Sequence, residues 1–161
     1  MTTLPQDGSS SDSRDRPFVH QVVLDCSHPR TLAEFYRELL GYAYRPCDEP
    51  PPADEPDHLG DDWLVLRPEA DDASSGRGIA FQQTNDYMPP TWSAEEDTPR
   101  SRQRQMLHLD MGVLDTDSLA RQRDRATGLG ATILFDRSHD EEESLYVFAD
   151  PMGHPFCIFV D

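Results

Sequence analysis

The chain has 161 residues, enough for one domain with a real core, and its 36% of hydrophobic residues never form the run of about 20 that a membrane span needs. A net charge of −17 disfavours nucleic acid and anionic membrane surfaces as partners, because their phosphates are repelled. Three cysteines without paired spacing argue against a disulfide framework. With no leader-like N-terminus as well, reduced thiols in the cytoplasm are expected.

Residues 1–17, rich in Ser, Asp and Arg with little to bury, are expected to form a disordered tail ahead of a domain at 18–161. Val22, Leu24 and Cys26 alternate with Gln21, Val23 and Asp25, the period of two of a strand with two different faces. Ser27-His28-Pro29 ends it, and Thr31 is a candidate N-cap. Leu32, Phe35, Tyr36, Leu39 and Leu40 then form one helical stripe that Gly41 stops. A short strand at 42–45 leads into an acidic, proline-laden loop at 47–61, and strands at 63–67 and 79–84 complete a βαβββ unit.

After a linker at 85–105 the pattern returns. Leu107, Leu109, Met111 and Val113 alternate with His108, Asp110 and Gly112. Asp115 or Asp117 can cap a helix running to about Thr127. Strands at 131–136 and 144–148, a turn at Asp150-Pro151-Met152-Gly153 and a strand carrying Phe156, Ile158 and Val160 follow. Laid over each other, the halves put Gln21 on His108 at an offset of 87 and Gln82 on Cys157 at an offset of 75. The difference of 12 is about the size of the loop at 47–61. The fold class expected is therefore α+β, two tandem βαβββ modules (18–84 and 106–161) forming a curled mixed sheet around a cleft, helices outside.

Gln21-Val-Val-Leu-Asp-Cys-Ser-His-Pro, Leu32-Ala-Glu-Phe-Tyr and Leu39-Leu-Gly resemble the opening of vicinal oxygen chelate proteins, the superfamily of glyoxalase I, bleomycin-resistance proteins and extradiol dioxygenases. His108-Leu-Asp-Met-Gly-Val-Leu-Asp and Asp150-Pro-Met-Gly-His-Pro-Phe-Cys look like its second-half signatures. The ending and Met88-Pro-Pro-Thr-Trp92 are similar to the glyoxalase-like branch common in actinobacteria. The resemblance implies a cleft, and in metal-using members an ion held by His or Gln and Glu from the first and last strands of each half. Carried over, those positions are Gln21, Gln82, His108 and Cys157. None offers a carboxylate, which Mn²⁺ or Mg²⁺ wants. His108 with a Cys157 thiolate suits Zn²⁺, but two ligands fall short of the usual three or four. No metal and no other cofactor is therefore expected.

The cleft lining expected is Gln21, Asp25, Gln82, His108, Asp110 and Cys157, with Trp92 from the linker. His108 is a candidate general base or ligand donor, and equally a residue satisfied by Gln21 or water. Asp25 can orient a ligand or serve as its acid–base partner; Asp110 reads better as a structural carboxylate at the rim. Cys157, like Cys26, reads as a buried inert thiol rather than a nucleophile. Trp92 either closes over the cleft as part of a lid or pins the linker to the wall. His28, His58, His139 and His154 fall in turns or loops, His154 in a structural one. Two functions follow: a protein that holds a small organic molecule in a metal-free cleft, or an enzyme of the lyase or dioxygenase kind using His108 with Asp25 or a residual metal. The resemblance also admits a homodimer.

Overall fold

Period-two and period-3.6 segments alternate along the chain as expected. The computed structural model describes residues 19–69, 77–92 and 103–161, so the tail expected at 1–17 and the linker tip at 93–102 lie outside the described residues. Module one runs β1 (Gln21–Cys26), α1 (Pro29–Leu40), β2 (Ala43–Tyr44), β3 (Trp63–Arg67) and β4 (Gly78–Gln83). Module two runs β5 (Leu109–Val113), α2 (Thr116–Gly128), β6 (Thr132–Asp136), β7 (Leu145–Ala149) and β8 (Pro155–Val160). Each module folds into its own four-stranded mixed sheet, ordered β1-β4-β3-β2 and β5-β8-β7-β6, and neither closes. In both, the first and last strands pair in parallel and the others antiparallel. That is the α+β, two-module fold expected.

The strand phases set the faces. Leu24 and Cys26 of β1 and Ile79 and Phe81 of β4 turn to the core, as do Phe156 and Ile158 of β8. Helix α1 lays Leu32, Ala33, Phe35, Tyr36 and Leu39 on this layer, the apolar stripe its spacing promised. Its N-cap is His28 without a side-chain cap; Thr31 sits inside the first turn, because Pro29, with no N–H to satisfy, starts the helix two residues earlier. Gly41 ends α1 at φ +68, a left-handed conformation costly for any residue with a Cβ. Asp115 caps α2, accepting from the Ser118 amide at 2.6 Å.

Helix α1 serves both modules. Tyr36 stacks on Phe81 of its own sheet at 5.8 Å between ring centroids, while Phe35 and Tyr36 lie 5.9 and 6.3 Å from Phe156 of the other. Helix α2 buries only Leu119 and Ala126. One core thus joins the halves. The acidic loop is held by Arg30, whose guanidinium donates to both oxygens of Asp57 at 2.7 and 3.0 Å and to the Asp48 carbonyl at 2.8 Å.

The pairing register corrects the overlay of the halves. Asp25 lies opposite Gln82 and Asp110 opposite Cys157, separations of 57 and 47 residues. The offset therefore changes by ten residues between first and last strands, not 12. With Gln82 on Cys157, Asp25 falls on Asp110 and Val23 on His108. The slip of two residues leaves every face assignment intact, since strands repeat every two.

Candidate functional site

Two cavities open on the sheet faces that point away from the helices. The larger, about 380 Å³, lies between the two modules and the linker, with Val23, Asp25 and Gln82 from module one, Met88 and Gln105 from the linker, and Leu107, His108 and His154 from module two. Its size is within the usual range for small-molecule sites. The second, about 300 Å³, lies on module two, lined by Trp92, His108, Asp110, Phe135, Val147 and Cys157 among others. His108 borders both.

The seven residues singled out in the sequence thus divide. Asp25, Gln82 and His108 meet at the first cavity, and Trp92, His108, Asp110 and Cys157 at the second. Gln21 joins neither: it lies in a separate depression with His20, Arg67 and Arg77. Its neighbour on β4 is Gly78, four residues from Gln82, about 13 Å along the strand. Leu107, expected in the first strand of module two, is 56% exposed and lines the first cavity, because β5 begins only at Leu109. His108 accordingly sits just ahead of the strand.

In the second cavity His108 Nε2 lies 3.2 Å from Asp110 Oδ1, with the side chains 33% and 61% exposed. The Trp92 ring meets His108 edge to face at 5.4 Å between centroids. Burial and then the Asp110 carboxylate push the Cys157 thiol from 9.0 up to about 11, so it is a thiol and not a nucleophilic thiolate at neutral pH. Cys26, buried in the core, is pushed up to about 12, chiefly by burial.

A polar network that the sequence did not announce forms the back wall of the first cavity. Asp150 is 4% exposed and accepts from the Tyr36 hydroxyl at 3.0 Å and from the amides of Met152 and His154 at 2.8 and 3.0 Å. His154 Nδ1 lies 2.9 Å from the same carboxylate, and its Nε2 lies 2.9 Å from the Asp25 carbonyl and 3.1 Å from the Tyr87 hydroxyl. Tyr87 donates to the Met152 carbonyl at 2.8 Å. Asp150 and His154 read as turn residues because their long-range partners are 67 to 129 residues away; only their i,i+4 spacing was a visible sign.

The linker is docked by the same turn. Gly153 has φ +94, and a Cβ there would come within 2.7 Å of Pro89 Cβ. Thr91 and Arg104 form a parallel bridge that brings the two ends of the linker together. Gln105 is held there by its amide, which donates to the Thr91 carbonyl at 3.3 Å. Its side-chain Oε1 is buried and has no hydrogen-bond partner among the described residues.

A family profile described as a glyoxalase-like domain matches residues 21–159. The chain belongs to that family. Its fold is that of the vicinal oxygen chelate superfamily, as solved structures show. A glyoxalase/bleomycin resistance protein/dioxygenase family enzyme from Burkholderia phytofirmans superposes with a TM-score of 0.57 at 12% identity, covering 88% of this chain and 96% of its own. The Listeria monocytogenes fosfomycin resistance protein FosX, solved with Mn(II) and a dihydroxypropylphosphonic acid, gives 0.57 at 10%, covering 88% of both chains. A lactoylglutathione lyase from Agrobacterium tumefaciens gives 0.51 at 11%, covering 91% of this chain and 95% of its own. No curated protein matches the chain.

The glyoxalase-like chain does not fit a metal held at the four carried-over positions. Gln21 lies in a depression of its own, and Gln82 and Cys157 line different cavities. No helix among the described residues is long and apolar enough to cross a membrane.

Proposed function

We propose that the protein binds a small, largely apolar molecule carrying a hydrogen-bond donor, in the cavity between the two modules and the linker. The observation that carries this reading is that Gln105 lines this cavity while its buried Oε1 has no hydrogen-bond partner among the described residues. A buried acceptor without a partner costs on the order of 1–3 kcal/mol, and a ligand N–H or O–H would remove that cost. Met88, Met106, Leu107 and Val23 supply apolar surface, the methionines adapting to its shape. Asp25, Gln82 and His108 supply the few polar groups that fix orientation. No resident metal is needed for this.

Two probes of similar shape test it, 1-naphthol with an O–H donor and 1-methoxynaphthalene without. The naphthol is expected to bind about tenfold more tightly by fluorescence titration, the worth of one net hydrogen bond. In Gln105→Met that preference should vanish, while the unliganded protein gains about 1 kcal/mol against urea because the stranded acceptor is gone. Equal binding of both probes to the wild type, or a preference that survives in the variant, removes the reading.

One observation favours catalysis as a second reading. Asp110 lies within reach of His108 Nε2 and orients the imidazole, leaving Nδ1 to act as a base toward a ligand near Asp25. His108→Ala separates the two. Probe affinity kept within about tenfold fits a lining residue, whereas turnover lost with binding intact fits the enzyme.

A further inference from the structure

Two opposite charges stand on the wall of the first cavity without meeting. Among the described residues, Asp25 is the acidic side chain that lines it and Arg104 the guanidinium. Neither side chain makes a hydrogen bond or an ion pair there. An unpaired guanidinium stands out in a chain with 31 acidic residues against 14 basic ones. Arg30, Arg37, Arg45, Arg123 and Arg137 each hold a carboxylate. The two histidines on the wall are already turned elsewhere, His108 to Asp110 and His154 to Asp150.

The backbone keeps the two charges apart. Asp25 is fixed by strand pairing opposite Gln82 on β4, and Arg104 by the parallel bridge to Thr91 in the linker. One charge is therefore carried by the sheet and the other by the linker, and they share a cavity with the apolar surface of Val23, Met88 and Leu107.

We propose that the ligand of the first cavity is a zwitterion with an apolar body, of the α-amino acid kind, its carboxylate on Arg104 and its ammonium on Asp25. This rests on the small-molecule reading of that cavity and narrows it. A guanidinium receives a carboxylate through two parallel N–H donors, and an ammonium gives its donors to a carboxylate. Simpler ions fit less well. A plain carboxylate satisfies Arg104 but is repelled by Asp25 and by the net charge of −17, while a plain amine satisfies Asp25 and is repelled by Arg104. A zwitterion is neutral as a whole and complements both charges. Both side chains are exposed, so each contact is worth a few-fold in affinity and not orders of magnitude. Gln105 Oε1 remains a separate acceptor for a donor on the apolar body.

The test is a calorimetric titration of the full chain with tryptophan, indole-3-propionic acid, tryptamine and 3-methylindole. All four present the same ring and N–H, so only the charges differ. Tryptophan is expected to bind about tenfold more tightly than 3-methylindole, about threefold from each charge contact, and more tightly than either singly charged analogue. That advantage should shrink as salt is raised. Arg104→Gln should remove the carboxylate's share and leave tryptamine bound at least as tightly. Asp25→Asn should remove the ammonium's share and leave indole-3-propionic acid bound at least as tightly. Both positions are exposed, so the variants are expected to keep the fold, checked by urea denaturation. Tryptophan binding no more tightly than 3-methylindole overturns the proposal. So does a singly charged analogue that equals tryptophan, or an advantage that survives both substitutions. If 1-naphthol still binds in those cases, the broader reading of the cavity stands; if neither it nor any indole binds, both fall.

Discussion

Modules one and two share element order, sheet order and strand direction, yet they line their cleft faces with different chemistry. On their two cavities module one presents Val23, Asp25 and Gln82, and module two presents His108, Asp110 and Cys157. The first set is an apolar side chain, an acid and an amide; the second is an imidazole, an acid and a thiol beside Trp92. A duplicated scaffold thus keeps the backbone registers that point side chains into the cleft and changes only what they carry. The halves also differ in what holds them. Helix α1 packs six buried residues, with Phe35 and Tyr36 reaching Phe156 of the other module, whereas α2 covers its own sheet with two buried residues and β6 is exposed along its whole length.

The sharpest way to break the comparison is at the joint. Asp150 of module two accepts from Tyr36 of module one, from His154 and from two backbone amides, so Asp150→Ala strands four buried or half-buried donors. A loss of about 3–5 kcal/mol in urea denaturation is expected. A loss under about 1 kcal/mol would mean the modules are joined by apolar packing alone.

Gly153→Ala acts on the linker. The substitution is strained at φ +94 and drives a methyl into Pro89, so a cost of about 1–3 kcal/mol is expected. The first cavity should open with it. Faster proteolysis within 84–92 together with weaker naphthol binding would show that the docked linker shapes the first site.

The smallest effect compares two thiols, Cys26 of module one and Cys157 of module two. An exposed thiol ionises near 9.0, but folding holds Cys157 protonated to about 11 and Cys26 to about 12. Their contribution is therefore complete below pH 9, and falls as pH rises because only the unfolded chain gives up the protons. The decline should be on the order of 1 kcal/mol per pH unit for each thiol. In urea midpoints measured from pH 8 to pH 11, Cys157→Ala should fall less steeply than the wild type. Identical slopes would place Cys157 in contact with solvent, unlike Cys26.

Much of the fold was legible because it rests on local periodicity. Alternation in β1 and β8, the stripe of α1, Gly41 and the Asp115 cap are short-range facts of the chain, and each stands where its pattern put it. The face assignments survived a two-residue error in the overlay for the same reason: sheet faces depend on parity. Thr31 failed as a cap because proline at the first helical position outweighed a weak local preference.

What the sequence by itself determined is the pair of βαβββ units, their family likeness and the set of polar side chains on the cleft faces. Only the tertiary structure decided how those side chains group. Register, set by pairing between strands tens of residues apart, sent Gln21 away from Gln82, brought Asp110 beside Cys157 and His108, and joined Tyr36, Asp150 and His154 into one network. Such contacts are long-range, and a one-dimensional period carries no information about which distant residue arrives opposite another.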